Sequence, residues 1–246
     1  MCHTSLTLDF DDGLSTISHY ARYPEMMVAV GDHYRHASLR ILVLGESHYV
    51  DQAEASNHPD LWYEGRSIAC AATIPYIYTR KIFDNAINDR KKSKSKAIFH
   101  ALRSALGASG IIGSSPGSPL QSIAYMNYFQ RPAEESGKSL RVHPRDVIEA
   151  TSVVSDVVSV IKPQLVVFAS RLAWKHAKAG LADQLQQAGI LILDVPHPAT
   201  SWWNRPSRPM KGQTGRQRLV SAVLTALSNN RADKNTSTNS SETAPR

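Results

Sequence analysis

Residues 164–195 read QLVVFASRLAWKHAKAGLADQLQQAGILILDV, two short apolar runs separated by a longer stretch of mixed polarity. The runs at 164–169 and 190–195 have the length and composition of buried strands, and the segment from about 172 to 188 reads as a helix that a glycine ends. A strand, a helix and a second strand in this order are typical of a βαβ unit, in which the two strands run parallel.

The same alternation continues on the N-terminal side of this stretch. Asp146 is a good N-cap for a helix that Pro163 stops. The apolar residues of this helix recur at helical spacing: Ala150, Val153, Val154, Val157, Val158 and Ile161. Residues 39–44 (LRILVL) and 122–126 (SIAYM) predict two further strands, and residues 215–227 predict a last helix.

Short apolar strands separated by amphipathic helices indicate a sheet that is covered on both faces. We therefore predict an α/β fold, a three-layer α/β/α sandwich with a central, mainly parallel four-stranded sheet. The predicted boundaries place an N-terminal helical extension at residues 1–38 and the α/β domain at 39–228. A tail rich in Asn, Ser and Thr, at 229–246, is predicted to be disordered.

Length and composition describe an ordinary globular chain. Its 246 residues, 42% of them hydrophobic and 20% charged, are enough to bury a full core. The longest apolar runs fall far short of the roughly 20 residues that a membrane span needs, and the first residues lack the pattern of a secretory signal. We predict a cytoplasmic, monomeric protein that does not associate with a membrane.

Cysteine content and charge limit the cofactors and suggest a partner. Cys2 and Cys70 are too few for a disulfide framework, a four-cysteine zinc site or an iron–sulfur cluster. We predict neither a metal nor a cofactor. The formal net charge of +7 and the sequence pI of about 9.5 favour a polyanionic partner.

Polar residues follow the predicted strands directly. Glu46 comes after the first strand, Asn127 after the second and His197 after the fourth. Because the carboxyl ends of parallel strands meet at one edge of a sheet, and ligands bind there, we expect these three side chains to converge on one pocket.

Four segments together resemble the uracil-DNA glycosylase superfamily, in the order in which that family has them. Residues 41–49 (ILVLGESHY) look like its strand and water-activating loop, and residues 123–132 (IAYMNYFQRP) are similar to the strand that ends in a base-reading Asn. Residues 163–173 look like the buried strand before the next helix, and residues 197–200 (HPAT) resemble the His-Pro-Ser signature. The resemblance extends from about residue 39 to 227.

The resemblance implies a monofunctional DNA glycosylase, which hydrolyses the N-glycosidic bond of a base flipped out of double- or single-stranded DNA. Glu46 would orient the water and stabilise the sugar cation, and His197 would stabilise the departing base anion. Asn127 would read the edge of the base. The implied base pocket comprises Gly45, Ser47, His48, Tyr49, Trp62 and Tyr63. No lysine in the motif loops suggests a Schiff base, so water is the expected nucleophile.

The loop after the His-Pro motif is implied to contact DNA. In the family this loop carries an apolar wedge that enters the duplex where the base leaves, and Trp202 or Trp203 would serve as that wedge. Phosphate or backbone contacts are expected from Arg131, Ser170, Arg171, Arg205, Arg208 and Lys211.

Departures from the family pattern point to a changed substrate. Ser47 stands where one branch has its catalytic Asp, His48 replaces a Pro, and Ala199 replaces the Ser of the signature. The expected substrate is a uracil, damaged or modified base, and the departures extend it to a hypermodified base of phage DNA. The expected role is base-excision DNA repair or antiviral defence.

Three alternative functions remain open from the sequence. Ser47, Asp194 and His197 resemble the site of an SGNH (GDSL-type) serine esterase, with Asn127 as oxyanion donor. A base- or DNA-binding module that no longer hydrolyses is the second alternative. The third is a metal hydrolase that uses the histidines of the chain, although no metal-binding spacing supports it: His33, His36, His48 and His197.

Overall fold

The computed structural model describes residues 5–48, 58–66, 74–88, 96–111, 117–135 and 138–239, the last nine of them and 74–75 by their backbone alone. Its strands form one sheet: β1 (Ala29–Val30), β2 (Ile41–Gly45), β3 (Ile123–Asn127), β4 (Leu165–Phe168) and β5 (Leu191–Asp194). Their spatial order is β1-β3-β2-β4-β5, with β1 antiparallel to β3 and the other neighbours parallel. The chain is an α/β protein with a five-stranded mixed, mostly parallel sheet flanked by helices.

The prediction of four strands was one strand short. All four predicted strands are present, but β1 adds an antiparallel edge, where Ala29 pairs with Tyr125 and Val30 with Ala124. A strand of two residues is too short for a period-two pattern to identify it in a sequence. The segment around it also belongs to the main core, because Leu14, Tyr20 and other residues before position 38 pack in the same cluster as β2.

The helices of the described chain are α1 (Asp11–Ser15), α2 (Ser18–Arg22), α3 (Pro59–Tyr63), α4 (Ile74–Ile77), α5 (Thr79–Asn88), α6 (Ala97–Ala108), α7 (Pro144–Ile161), α8 (Arg171–Ala177), α9 (Leu181–Gln187) and α10 (Gly215–Asn239). The helix predicted at 172–188 is two helices, since Gly180 has a φ of +137° that breaks it. The last helix, predicted at 215–227, continues into the segment predicted as a tail.

The start of α7 corrects one capping assignment. Asp146, predicted as the N-cap, is the third residue of the helix, and its Oδ2 accepts a hydrogen bond of 2.8 Å from the backbone N–H of His143. The carboxylate therefore closes the first turn from within. The helix ends at Lys162, whose φ is +49°, just before Pro163.

Side chains of the central strands alternate between two hydrophobic clusters, one on each face of the sheet. Leu42 and Leu44 of β2 face the cluster that contains α7, α8 and α9, whereas Ile41 and Val43 face the one that contains α5, α6 and α10. No helix in the described ranges is long and apolar enough to cross a membrane.

The strand order creates a crevice at the carboxyl edge of the sheet. From β2 the chain goes to β3 on one side, and from β3 it returns past β2 to β4 on the other side. The connections next to β2 therefore leave in opposite directions. In open α/β sheets such a switch point, at the carboxyl ends of the strands, is where ligands bind.

Candidate active site

The carboxyl ends of four neighbouring strands are level with one another. The register pairs Gly45 with Asn127 across β2 and β3. It pairs Leu44 with Phe168 across β2 and β4, and Phe168 in turn with Asp194 of β5. From β3 across the sheet to β5, the predicted site residues at or just after these ends are Asn127, Glu46, Ser170 and His197. The strand register thus brings together residues that are widely separated in the sequence.

Glu46 is held across the switch point by Ser170. The Ser170 hydroxyl donates a hydrogen bond of 2.9 Å to Glu46 Oε2, and it accepts one of 3.2 Å from the backbone N–H of Ala173 as the N-cap of α8. Ser170 is fully buried. Because the helix occupies the hydroxyl as an acceptor, its single proton is directed at the carboxylate, which fixes the position of Glu46.

His197 is a neutral hydrogen-bond donor in this arrangement. Its Nδ1 accepts a hydrogen bond of 3.2 Å from the backbone N–H of Ala199, which places the proton of the neutral ring on Nε2. Burial lowers the pKa of His197 below its usual value, and the nearby Glu46 carboxylate offsets only part of that effect. An uncharged imidazole whose Nε2–H can donate is the form present at neutral pH.

Asn127 is oriented by Tyr125, whose hydroxyl donates a hydrogen bond of 3.1 Å to Asn127 Oδ1. Gly45 makes room for this pair, because a Cβ at that position would lie 2.4 Å from Asn127 Oδ1 and 2.5 Å from the Tyr125 hydroxyl. Sequence reasoning did not identify Tyr125, although it lies two residues before Asn127 and therefore on the same side of β3.

The loop after Glu46 turns inward. Ser47 is buried, and its Oγ has no hydrogen-bond partner among the described residues. His48 is buried as well, its Nδ1 lies 3.2 Å from the carbonyl oxygen of Tyr76, and burial lowers its pKa to about 4. Tyr49, predicted to line the base pocket, lies outside the described residues.

Trp62 and Tyr63, predicted to line the base pocket, are buried in the core. The Trp62 ring is fully buried and stacks on Tyr23 with 4.3 Å between ring centroids, and its Nε1 donates to the carbonyl of Gln130. The Tyr63 hydroxyl donates to Asp146 Oδ1 at 2.9 Å. A base would have to displace Tyr23 before it could stack on Trp62.

Arg131 and Ser170, both predicted to contact DNA, have their side chains inside the protein. Arg131 is fully buried, and its guanidinium donates to both oxygens of Asp146 at 2.6 and 2.9 Å and to Glu134 at 2.8 Å. It therefore joins the end of β3 to α7 and does not reach the surface. Ser170 acts on Glu46, and its preference for the N-cap position was the signal that could have identified this role.

The two tryptophans predicted as alternative wedges differ in exposure. Trp203 is 2% exposed and packs in the core, whereas Trp202 is 55% exposed. Of the two rings, only Trp202 projects into solvent as a wedge would have to. The basic residues near it are exposed and form no ion pair with any residue in the described part of the chain: Arg205, Arg208 and Lys211.

The contacts of Asp194 do not form an esterase triad. Its Oδ1 accepts from Arg218 at 2.6 Å and its Oδ2 from Arg171 at 3.2 Å. In a Ser-His-Asp triad the histidine Nδ1–H donates to the carboxylate, but Nδ1 of His197 is an acceptor here. The Ser47 hydroxyl has no described partner. Arg171, predicted to contact DNA, forms this ion pair at the surface.

The four histidines considered for a metal hydrolase do not form a ligand cluster. Within the ranges that the structure describes, no three His, Cys, Asp or Glu side chains are grouped so that they could hold a metal ion. The acidic group near His33 is Asp32, whose Oδ1 lies 3.9 Å from His33 Nε2.

A groove of about 500 Å³ lies directly beside the His197 segment, and sequence reasoning did not identify it. Residues 198–201 and 203–204 form one side, α6 forms another, and Arg216 of α10 contributes from the third. Its polar lining consists of His100, Ser104, Thr200, Ser201, Asn204 and Arg216. Three separate chain segments build this groove, so no local motif marks it.

Comparison with known proteins adds no family assignment. No model of a known protein family matches the chain, and the curated proteins include none with significant similarity to it.

Proposed function

We propose that this protein is a monofunctional DNA glycosylase of the type found in the uracil-DNA glycosylase superfamily, with the three-layer α/β/α arrangement of that superfamily. One observation carries the proposal: Asn127 ends β3, Glu46 follows β2 and His197 follows β5, all at the same carboxyl edge of the sheet. In hydrolysis of an N-glycosidic bond a carboxylate can orient the water and stabilise the sugar cation, and a neutral imidazole can stabilise the departing base. An amide can read the edge of the base.

The proposed reaction breaks the bond between C1′ of the sugar and the base nitrogen. The bonding electron pair leaves with the base, and the sugar acquires positive charge. Glu46 stabilises that charge, orients a water molecule and accepts a proton as the water adds to C1′. His197 donates a hydrogen bond from Nε2 to the departing base anion, and its neutral state avoids protonating the base before the bond breaks.

Base recognition is assigned to Asn127. Its Oδ1 is already engaged by Tyr125, so the amide group is held in one orientation and presents its Nδ2 protons toward the base. The proposed substrate is a uracil, damaged or modified base. Because Ser47 and His48 differ from the family pattern, bases other than plain uracil are included, among them the hypermodified bases of phage DNA.

Surface features support DNA as the substrate. Trp202 is an exposed aromatic side chain in a loop that also carries Arg205 and Arg208. A wedge flanked by cations is suited to open a base stack while the phosphates are held. The net charge of +7 favours the same partner.

The first test is release of free base, measured by mass spectrometry after incubation with duplex and single-stranded DNA. The substrates contain uracil, other deaminated bases, alkylated bases, or the modified bases of phage DNA. We expect release of one of these bases, and a fall of about 10²–10⁴-fold in the rate with Glu46→Gln, because the carboxylate is lost.

Glu149→Gln is the matched control, since Glu149 lies on α7 in a surface ion pair with Arg145. Equal activity of the Glu46 and Glu149 variants would contradict the site assignment. DNA binding without release of any base would instead support a non-hydrolysing module. Ester hydrolysis that Ser47→Ala abolishes would make the protein an esterase.

A further inference from the structure

The groove adjoins the chain segment that carries His197. Pro198 and Ala199 line the groove and directly follow His197, and adjacent Cα atoms are only about 3.8 Å apart. A volume of about 500 Å³ lies within the range of about 300–1,000 Å³ typical of sites for small ligands. The groove therefore has room for a group of nucleotide size beside the segment that carries His197.

The lining matches the chemistry of a nucleotide. Arg216 is half-buried and forms no ion pair with any residue that the structure describes, and a guanidinium is well suited to bind phosphate. Hydroxyls and an amide from the 200–204 segment supply hydrogen bonds, and Trp203 and Ala101 supply apolar surface.

The N-terminal end of α10 is not itself the site that we expect to bind a phosphate. Thr214 and Gln217 cap each other, because the Thr214 N–H donates to Gln217 Oε1 at 2.9 Å and the Gln217 N–H donates to Thr214 Oγ1 at 3.1 Å. The first turn thus uses two of its own donors internally. The cation available to a phosphate in the groove is the side chain of Arg216.

We propose that this groove binds the nucleotide next to the flipped one, with its phosphate on Arg216 and its base against the apolar surface near Trp203. A neighbour can enter a concave site only when it is unstacked. The proposal rests on the proposed function, and it defines the preferred substrate as single-stranded or locally melted DNA.

The test compares binding of the full chain to a short single-stranded oligonucleotide and to the matching duplex, by fluorescence anisotropy over a range of salt concentrations. Arg216→Gln should weaken single-strand binding about tenfold and reduce the salt slope by about one, because one phosphate contact is lost. Duplex binding should change much less. Lys178→Ala, which removes an exposed lysine after α8, is the control.

A second variant tests whether the open volume of the groove is needed for binding, without a change in charge. Ala101→Leu should fill the groove and weaken single-strand binding with the salt slope unaltered, whereas Ala101→Ser should bind like the wild type. An oligonucleotide in which the neighbouring base is removed should lose affinity for the wild type and not for the leucine variant.

The outcomes separate this proposal from the proposed activity. Equal losses for both DNA forms with Arg216→Gln, or no loss beyond that of Lys178→Ala, would overturn the groove as a site for an unstacked nucleotide even if base release occurs. If Arg216→Gln selectively weakens single-strand binding but no DNA releases a base, the groove is supported as a nucleotide site and the glycosylase proposal is contradicted.

Discussion

Ser170 has two hydrogen-bonding roles at the end of β4, and they can be separated by mutation. It caps α8 and directs its proton to Glu46. We expect Ser170→Ala to lower kcat about tenfold with little change in KM, because Glu46 is no longer held in its reactive position. Loss of the cap should also cost about 1 kcal/mol of stability.

Ser170→Thr is the control, since it keeps both the hydroxyl and the cap. It should restore both kcat and stability. The two roles are separated by the alanine variant, because a purely structural role predicts a loss of stability without a loss of kcat. The measurements are steady-state base release and urea unfolding of both variants. If the alanine variant loses stability and retains wild-type kcat, Ser170 does not position Glu46.

At the level of the element, the loop after His197 contains two adjacent tryptophans with opposite roles. Trp202→Ala should leave the unfolding free energy within about 0.5 kcal/mol of wild type and lower the activity on duplex DNA, because only an exposed ring can enter the stack. Trp203→Ala should cost about 3–5 kcal/mol of stability, because it leaves a cavity in the core.

Urea unfolding and base release from duplex DNA measure the two effects. The neighbouring variants serve as controls for each other, since they differ by one position and remove the same side chain. A stable Trp203 variant without duplex activity would reverse the assignment.

Strong local patterns made the four longer strands and α7 predictable. Continuous apolar runs identify buried parallel strands, and their polar ends identify the edge that holds Glu46, Asn127 and His197. The β1 strand was not predicted, because a strand of two residues is too short to show the alternating pattern of a strand. The burial of Arg131, Trp62 and Tyr63 could not be predicted, because burial and ion pairing depend on partners far away in the sequence. The groove was missed for the same reason.

For the whole molecule, buried histidines make folding sensitive to acid. Burial, together with a smaller effect of the nearby Arg22, lowers the pKa of His19 to about 3, and burial lowers the pKa of His48 to about 4. Both rings are therefore uncharged in the folded state at neutral pH. Between the unfolded value of about 6.5 and pH 4 the unfolded chain binds more protons, so stability is present above pH 6.5 and falls as the pH decreases.

We expect the unfolding free energy to fall by about 1 kcal/mol per pH unit for each of these rings below pH 6.5, measured by urea unfolding between pH 7 and pH 5. His48→Gln should flatten this dependence. His58→Gln should not, because the His58 side chain is 51% exposed. A slope for His48→Gln equal to that of the wild type would show that His48 does not carry this effect.

The fully buried pair of Arg131 and Asp146 restricts how the sequence can evolve. Loss of either partner leaves an uncompensated buried charge at a cost of about 3–5 kcal/mol, whereas replacement of both by apolar residues of similar volume is often tolerated. The two positions are therefore epistatic: across related sequences they should covary, and an arginine retained at position 131 reports on the scaffold and carries no information about the substrate.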